Sequence, residues 1–415
     1  MESRLRRNIG IVSLNQAVNI FTPLLLTPLM ISGLGIADFG VWMFAISACT
    51  FLAIFVDYGF NITTTRSVSL NRDKQLDLRN IVWNTIYAKI IIFSILLIVL
   101  NLFLIEFAKV RDNIAIFNCA FIFLTVQSLM PIWYFQGIEN VKFFVCANIA
   151  GKILLVISVF YCLHAYSNLL AVAIVHCATV LFVLVLQTAY MILFFKITPV
   201  VVDISDIYKA VKDGFIIFVS SFSVLIYSNS PIFFIGIFLS YEAVGIYAIG
   251  EKIYLGIKSL YQPISSAVFP VMSKMLKDDF ESAISLLRSI SLLSILIMSI
   301  ISSALLLLAP HFVTLFSGSP HNQSIEVLKI LSFVPVLAIL SNLAGLQLLV
   351  NLGKQKYMSI ILMIGAIVGC FLLVMFIPVY GTAGAAYSVF VVELLVAVLT
   401  VGFAYRFIKK RDLWS

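Results

Sequence analysis

Twelve apolar runs, each long enough to cross a bilayer, leave this chain few ways to fold. A helix needs ~20 predominantly apolar residues to span the hydrocarbon. Runs of that length lie near 9–32, 40–62, 81–106, 114–136, 143–164, 169–195, 213–238, 244–268, 285–308, 324–350, 357–378 and 384–405. No stretch between them reads as a strand, and a membrane span must satisfy its own backbone groups, so the runs are expected to be helices. The charge content agrees: 62% of residues are hydrophobic and 11% charged, too few charges to cover a soluble domain. Mean hydropathy is +1.11. The longest hydrophilic gaps, 66–80, 196–212 and 269–284, are too short for a soluble domain. The fold class expected is all-α integral membrane with twelve transmembrane helices.

The net charge of +8 reports orientation. In a soluble protein it would invite nucleic acid, but here the basic residues sit in short loops between apolar runs. Alternate loops and the two ends hold twenty Lys and Arg, while the intervening loops hold only Lys109 and Arg111. By the positive-inside rule both termini are cytoplasmic, which requires an even number of spans. The basic start leads into an apolar run reaching Met30, too long for a signal-peptide core, and reads as a first span. The six cysteines form no C-x-x-C pair and fall in or beside spans, where they read as packing residues. The four histidines lack metal-ligand spacing, and no phosphate-cradling glycine loop follows a strand. No metal, cofactor, nucleic-acid partner or enzymatic motif is expected.

Seven charged residues lie well inside spans: Asp57, Lys89, Lys152, Glu251, Lys252, Lys258 and Glu393. Each costs ~2.5–3.5 kcal/mol at mid-membrane on insertion scales, so most must face inward. At 1.5 Å per residue, Lys89, Lys152 and Lys258 lie ~13–15 Å from the cytoplasmic ends of their spans. Two readings stand. The lysines line a central cavity and attract an anionic headgroup, or they form separate ion pairs, for example Glu251 with Lys258. In the eighth span, Tyr247, Glu251, Tyr254, Lys258 and Tyr261 share one helical face, which suits a sugar or else packs against other helices. Glu326 and Lys329, three residues apart, are expected to form an interfacial salt bridge. His164 and His176 read as packing or as proton sensors.

The first span carries a polar face of Asn15, Asn19 and Thr22, with Gln16 beside it, then Pro23 and Pro28. The seventh answers with Ser220, Ser223, Tyr227 and Ser230, then Pro231. Proline bends a helix, and neighbouring Ser or Thr can re-satisfy the freed carbonyls, so both spans read as gating elements or as polar packing. The halves repeat weakly: Leu34–Trp42 aligns with Leu239–Tyr247, and Lys142-Phe143 with Lys356-Tyr357. The domains expected are an N-terminal six-helix lobe, 1–195, a cytoplasmic linker, 196–212, and a C-terminal six-helix lobe with basic tail, 213–415.

One stretch points to a family. Phe55-Val56-Asp57-Tyr58-Gly59-Phe60-Asn61 closes a span, three threonines follow, and Arg66 opens a basic loop. The bland reading of Asp57 is a helix end reaching the interface. The stretch also resembles the end of the second span in Wzx-type O-antigen flippases, polysaccharide exporters with two six-helix lobes. The Arg6-Arg7-Asn8-Ile9 start, Gln16 with Asn19, Pro23 and the Leu34-Gly35 to Phe39-Gly40 turn are similar to that family. So are Pro131–Gly137, Asp213-Gly214-Phe215 and Gly384-Ala385-Ala386. The resemblance implies a flippase that moves an undecaprenyl-pyrophosphate-linked oligosaccharide repeat unit. The movement would run from the cytoplasmic to the periplasmic leaflet of the bacterial inner membrane by alternating access. Coupling to H+ or Na+, and assembly with an O-antigen polymerase and chain-length regulator, are left open by it.

The burial argument supplies the site. Lys89, Lys152, Lys252, Lys258, Tyr254, Glu251, Asn15 and Asn19 are the candidate cavity residues. Asp57, Arg66, Glu393, Pro23 and Pro231 are the candidate coupling or gating residues. A multidrug or cation antiporter of the same two-lobe fold is the first rival, disfavoured because lysines outnumber carboxylates in the spans. A multi-span O-antigen polymerase is the second, disfavoured because the longest outer loop, about 309–323, contains no Arg, Lys, Asp or Glu.

Overall fold

The computed structural model describes residues 2–72 and 74–412, and the described residues form helices and short joints with no strand. Two compact units divide the chain, Met1–Leu225 and Ile226–Ser415. In the first, α1 (Glu2–Leu34), α2 (Ile36–Asp57), α3 (Phe60–Leu70), α4 (Gln75–Glu106) and α5 (Ala108–Arg111) come first. Then follow α6 (Ile114–Leu129), α7 (Ile132–Gly137), α8 (Lys142–Tyr166) and α9 (Leu169–Phe195). Helix α10 (Ile204–Phe238) contains the divide. The second unit holds α11 (Tyr241–Ser259), α12 (Gln262–Asp278), α13 (Phe280–Leu307), α14 (Ala309–Ser317), α15 (Asn322–Leu331) and α16 (Val334–Asn342). A π-helical stretch, Leu343–Val350, and the long α17 (Gln355–Asp412) complete it.

Among the described residues, nine helical segments are long and apolar enough to cross a membrane, or ten if the bent pair 217–226 and 228–238 is one span. The chain is therefore an all-helical, multi-pass membrane protein. Two features separate this count from the twelve runs read in the sequence. Helix α17 contains two of those runs, parted at Gly381, where φ 59° and ψ −135° break the helix three residues after Pro378. The run at 244–268 falls on α11 and α12, and α11 carries Glu242, Glu251, Lys252 and Lys258.

Large apolar side chains point outward along the long helices, as they do on surfaces that meet lipid. Ile91, Ile95, Ile98 and Leu102 on α4 are exposed, as are Leu292, Leu293, Leu296 and Ile300 on α13. The first unit packs around Trp133, Tyr134 and Phe135, with Val68, Trp83, Phe144 and Met191 against them. The second packs around Met272, Leu276, Leu287 and Leu343.

Helix ends follow local chemistry. Asn168, Ser240 and Asp279 cap α9, α11 and α13, each accepting a backbone N–H, from Leu170, Ala243 and Ser282. Two breaks matter most in the first unit. Between α2 and α3, Tyr58 and Gly59 are both left-handed, at φ 44° and 77°. Between α6 and α7, Met130 is extended at ψ 131°, as a residue before proline tends to be, and Pro131 starts a new turn. Close glycine contacts explain much of the motif set. A Cβ on Gly59 would meet Ile217 at 2.7 Å, and one on Gly214 would meet the Tyr58 carbonyl at 2.7 Å. Tyr58 stacks on Phe218 at 4.7 Å. These contacts seat the first part of α10 on the α2–α3 joint.

Two expectations are corrected. Glu326 and Lys329 both stand exposed without forming a salt bridge, consistent with the ~0–1 kcal/mol that such a surface pair gains. The threonine hydroxyls of α1 do not reach the carbonyls that its prolines free. Thr22 donates to Val18 and Thr27 to Pro23, one residue before the freed carbonyls of Asn19 and Leu24. His176 is satisfied by packing: its Nδ1 lies 2.9 Å from the Val172 carbonyl, and its ring lies against Trp42 and Phe123.

Candidate functional site

The intramembrane charges fall into three settings. The first is the α2–α3 joint. Lys89 on α4 is wholly buried, and its Nζ donates to the Ser128 carbonyl at 2.5 Å and to Asp57 Oδ1 at 3.4 Å. Asn61 also donates to Asp57 Oδ1, at 2.7 Å, and the Phe60 ring centroid is 5.9 Å from the ammonium. Asp57 and Lys89, given separate roles in the sequence reading, are one ion pair. Lys89 is enclosed in that pair and lines no described pocket with Lys152. Arg66, on α3, is exposed and forms no ion pair among the described residues.

The second setting is a pocket of about 540 Å³ in the first unit, between α1, α6, α8 and α9. Asn15, Asn19 and Pro23 line it from α1, Gln127 from α6, Asn148, Gly151 and Lys152 from α8, and Thr179 from α9. Asn148 Nδ2 donates to Asn15 Oδ1 at 2.6 Å and reaches Asn19 Oδ1 at 3.4 Å. No carboxylate lines the pocket. Lys152 is half-buried and, among the described residues, makes neither an ion pair nor a hydrogen bond. Gly151, which packs directly on Val183, brings α8 close to α9 beside it. Asn148 was missed in the sequence reading, although it precedes Lys152 by four residues, one helical turn, and so shares its face.

The third setting is in the second unit. Lys258 Nζ donates to Glu393 Oε1 at 2.7 Å, joining α11 to α17. The pair borders a cavity of only about 70 Å³, lined also by Tyr254, Ser230, Pro231 and Ser388. Glu251 pairs instead with its neighbour Lys252, at 3.7 Å. The Glu251–Lys258 example is thus corrected: seven residues of helix separate the two by ~10 Å along the axis. Tyr247, Tyr254 and Tyr261 are buried within the unit, so their shared face is a packing face in this conformation. The Tyr247 and Tyr261 hydroxyls have no partner among the described residues. Ser230 donates to the Ile226 carbonyl just before Pro231. The side chains of Ser220, Ser223 and Tyr227, the rest of that expected polar face, lie outside the described residues.

This all-helical fold, with a lysine in a carboxamide-lined pocket, is similar to that of solved membrane transporters. One is an inward-facing multidrug resistance MATE family transporter of the MOP superfamily, with TM-score 0.75 and 14% identity, covering 97% of this chain and 96% of that one. Another is the lipid II flippase MurJ in an inward closed conformation, with TM-score 0.68 and 14% identity over 94% and 87% of the two chains. The model of the polysaccharide biosynthesis protein family matches residues 5–276, more than half of the chain, and the chain belongs to that family. Two relatives carry the name "Putative O-antigen transporter". That of Escherichia coli (strain K12) is 27% identical over 401 residues, 96% of each chain. That of Shigella dysenteriae is 24% identical over 351 residues, 84% of this chain and 87% of that one.

Proposed function

We propose that this protein flips undecaprenyl-pyrophosphate-linked O-antigen repeat units from the cytoplasmic to the periplasmic leaflet of the bacterial inner membrane. It does so by alternating access between two six-helix lobes, with twelve crossings and both termini cytoplasmic. The observation that carries this reading is Lys152: a cation without a counter-charge among the described residues, in a pocket whose other polar groups are neutral carboxamides and a hydroxyl. A pyrophosphate supplies the missing negative charge. Sugar hydroxyls and amides can replace their water with Asn15, Asn19, Asn148 and Gln127. Family membership and the relatives' names support the same substrate class. A cation antiporter would want a carboxylate there, and none lines the pocket. Ion coupling, where present, fits the Lys258–Glu393 pair of the second unit, because its small cavity leaves room for a proton or small cation and not for a sugar.

The test is a deletion strain complemented by wild type or by Lys152→Ala, with lipid-linked repeat units assigned to a leaflet and surface O-antigen measured. Wild type should relieve cytoplasmic-side accumulation. Lys152→Ala at equal protein level should lower surface O-antigen about tenfold or more, the scale of losing one charge-assisted contact. Normal O-antigen in the deletion strain would overturn the function, and full complementation by Lys152→Ala would overturn the site.

A further inference from the structure

We propose that Lys89 is a positioning residue for the first-unit pocket, pinning the α6–α7 joint that forms one side of it. The inference rests on reading that pocket as the substrate site. Helix α4 runs unbroken from Gln75 to Glu106 past a level where two neighbours are broken, α2–α3 at Tyr58-Gly59 and α6–α7 at Met130-Pro131. Lys89 projects from α4 to both breaks. It holds the last residue of α2, Asp57, and the carbonyl of Ser128, two residues before Met130. Residues on either side of the second break, Gln127, Met130 and Ile132, line the pocket. Wherever the α6–α7 joint sits, a side of the pocket sits with it.

Side chains hold α7 itself, with Trp133, Tyr134 and Phe135 buried in the core and Phe135 against Phe144 and Tyr190, but the backbone of the joint has less to fix it. Pro131 offers no N–H, and only short-range bonds carry the backbone across, from Ile132 N to Met130 O and from Tyr134 N to Pro131 O. Beyond the joint, α7 also packs against α3. A Cβ on Gly137 would lie 2.5 Å from Val68 and 3.1 Å from the Thr65 carbonyl, so the two short helices touch backbone to side chain. Arg72, just past α3, clamps the far end, with Nε donating to the Gly137 carbonyl and Nη2 to Glu139, both at 2.7 Å. Helices α3 and α7 therefore pack as one pair, with a backbone break before each. One ammonium ties both breaks to α4, beside the buried Thr64–Thr85 hydroxyl bond from α3, and releasing it would loosen the α6–α7 joint where Met130 and Ile132 edge the pocket.

The test labels two single cysteines, Ile132→Cys at the joint and Asn148→Cys on α8, in a chain whose six native cysteines are replaced. The probe is a negatively charged methanethiosulfonate, applied to the protein in membranes. Lys89→Met should speed labelling at 132 about fivefold or more while changing 148 less than about twofold, as local opening confined to one element does. Lys89→Gln, which keeps a donor for the Ser128 carbonyl but loses the charge that pairs with Asp57, should fall between wild type and Lys89→Met. The double variant Asp57→Asn/Lys89→Met leaves no unpaired charge and gives the same comparison should the single variant fail to accumulate. Equal acceleration at both positions would mean general loosening and would overturn the pin, as would no change at either. If Lys152→Ala transports normally, the substrate-site reading fails, while the labelling ratio still reports on the joint.

Discussion

A lysine buried in a membrane protein is tolerable only with a counter-charge or a job, and the lysines here divide on that line. Lys89 and Lys258 have carboxylates within ion-pair distance; Lys152 has none among the described residues. Removing one member of a buried pair strands the other, at a cost of about 3–5 kcal/mol, whereas replacing both is far milder. Asp57→Ala should therefore destabilise by about 3 kcal/mol, and Asp57→Asn/Lys89→Met by much less, a double-mutant comparison read by thermal unfolding in detergent. Lys152→Ala should leave the melting temperature unchanged or raise it, because it removes an uncompensated charge. The sequence carried half of this. Its run lengths placed each charge at a depth, since rise per residue is fixed. They could not give the direction each helix face takes around the bundle, and that decides whether Lys258 meets Glu251 seven residues away or Glu393 far along the chain. Asn148 was legible by its one-turn spacing from Lys152; its bond to Asn15 on another helix was not.

At the scale of elements, glycines and caps set how closely the rods approach. Gly137→Ala puts a methyl group against Val68 and the Thr65 carbonyl, so it must push α7 off α3. Overpacking of this kind costs about 1–3 kcal/mol, and the variant should also weaken the Arg72 clamp, which hydrogen exchange at residues 65–72 and 132–139 would report. The tyrosine-rich face of α11 shows the limit of periodicity: spacing identified one face, but nothing in it said that the face packs inside the second unit. The cap of α13 gives a pH prediction. Hydrogen bonds from Ser282 hold the Asp279 carboxyl below its ordinary 3.8. A carboxylate with a depressed folded value stabilises above its unfolded pKa and loses that contribution as pH falls through the folded one. The stability gap between wild type and Asp279→Ala should thus be full near neutrality and shrink below pH 3.8, as followed by thermal unfolding across that range.

For the whole molecule the open quantity is the number of crossings, and it turns on α11. By composition α11 and α12 do not qualify as a span, because α11 carries Glu242, Glu251, Lys252 and Lys258. Three of those four charges are compensated inside the unit, Glu251 by Lys252 and Lys258 by Glu393. Glu393 lies in the second apolar half of α17, so a 2.7 Å pair with it holds Lys258 at membrane depth. A segment anchored there is already inside the bilayer, and paired charges remove most of the insertion penalty that isolated ones would carry. Crossing by α11–α12 makes the total even, with the chain ends on one side. Without it, everything after Asp279 inverts. Reporter insertions at Asn71, Asp279, Gly318 and the C-terminus separate the two cases. Twelve crossings should give a cytoplasmic signal at 71, 279 and the C-terminus, and a periplasmic one at 318. A periplasmic C-terminus together with a cytoplasmic 71 would remove one crossing, and with it the two-lobe alternating-access proposal.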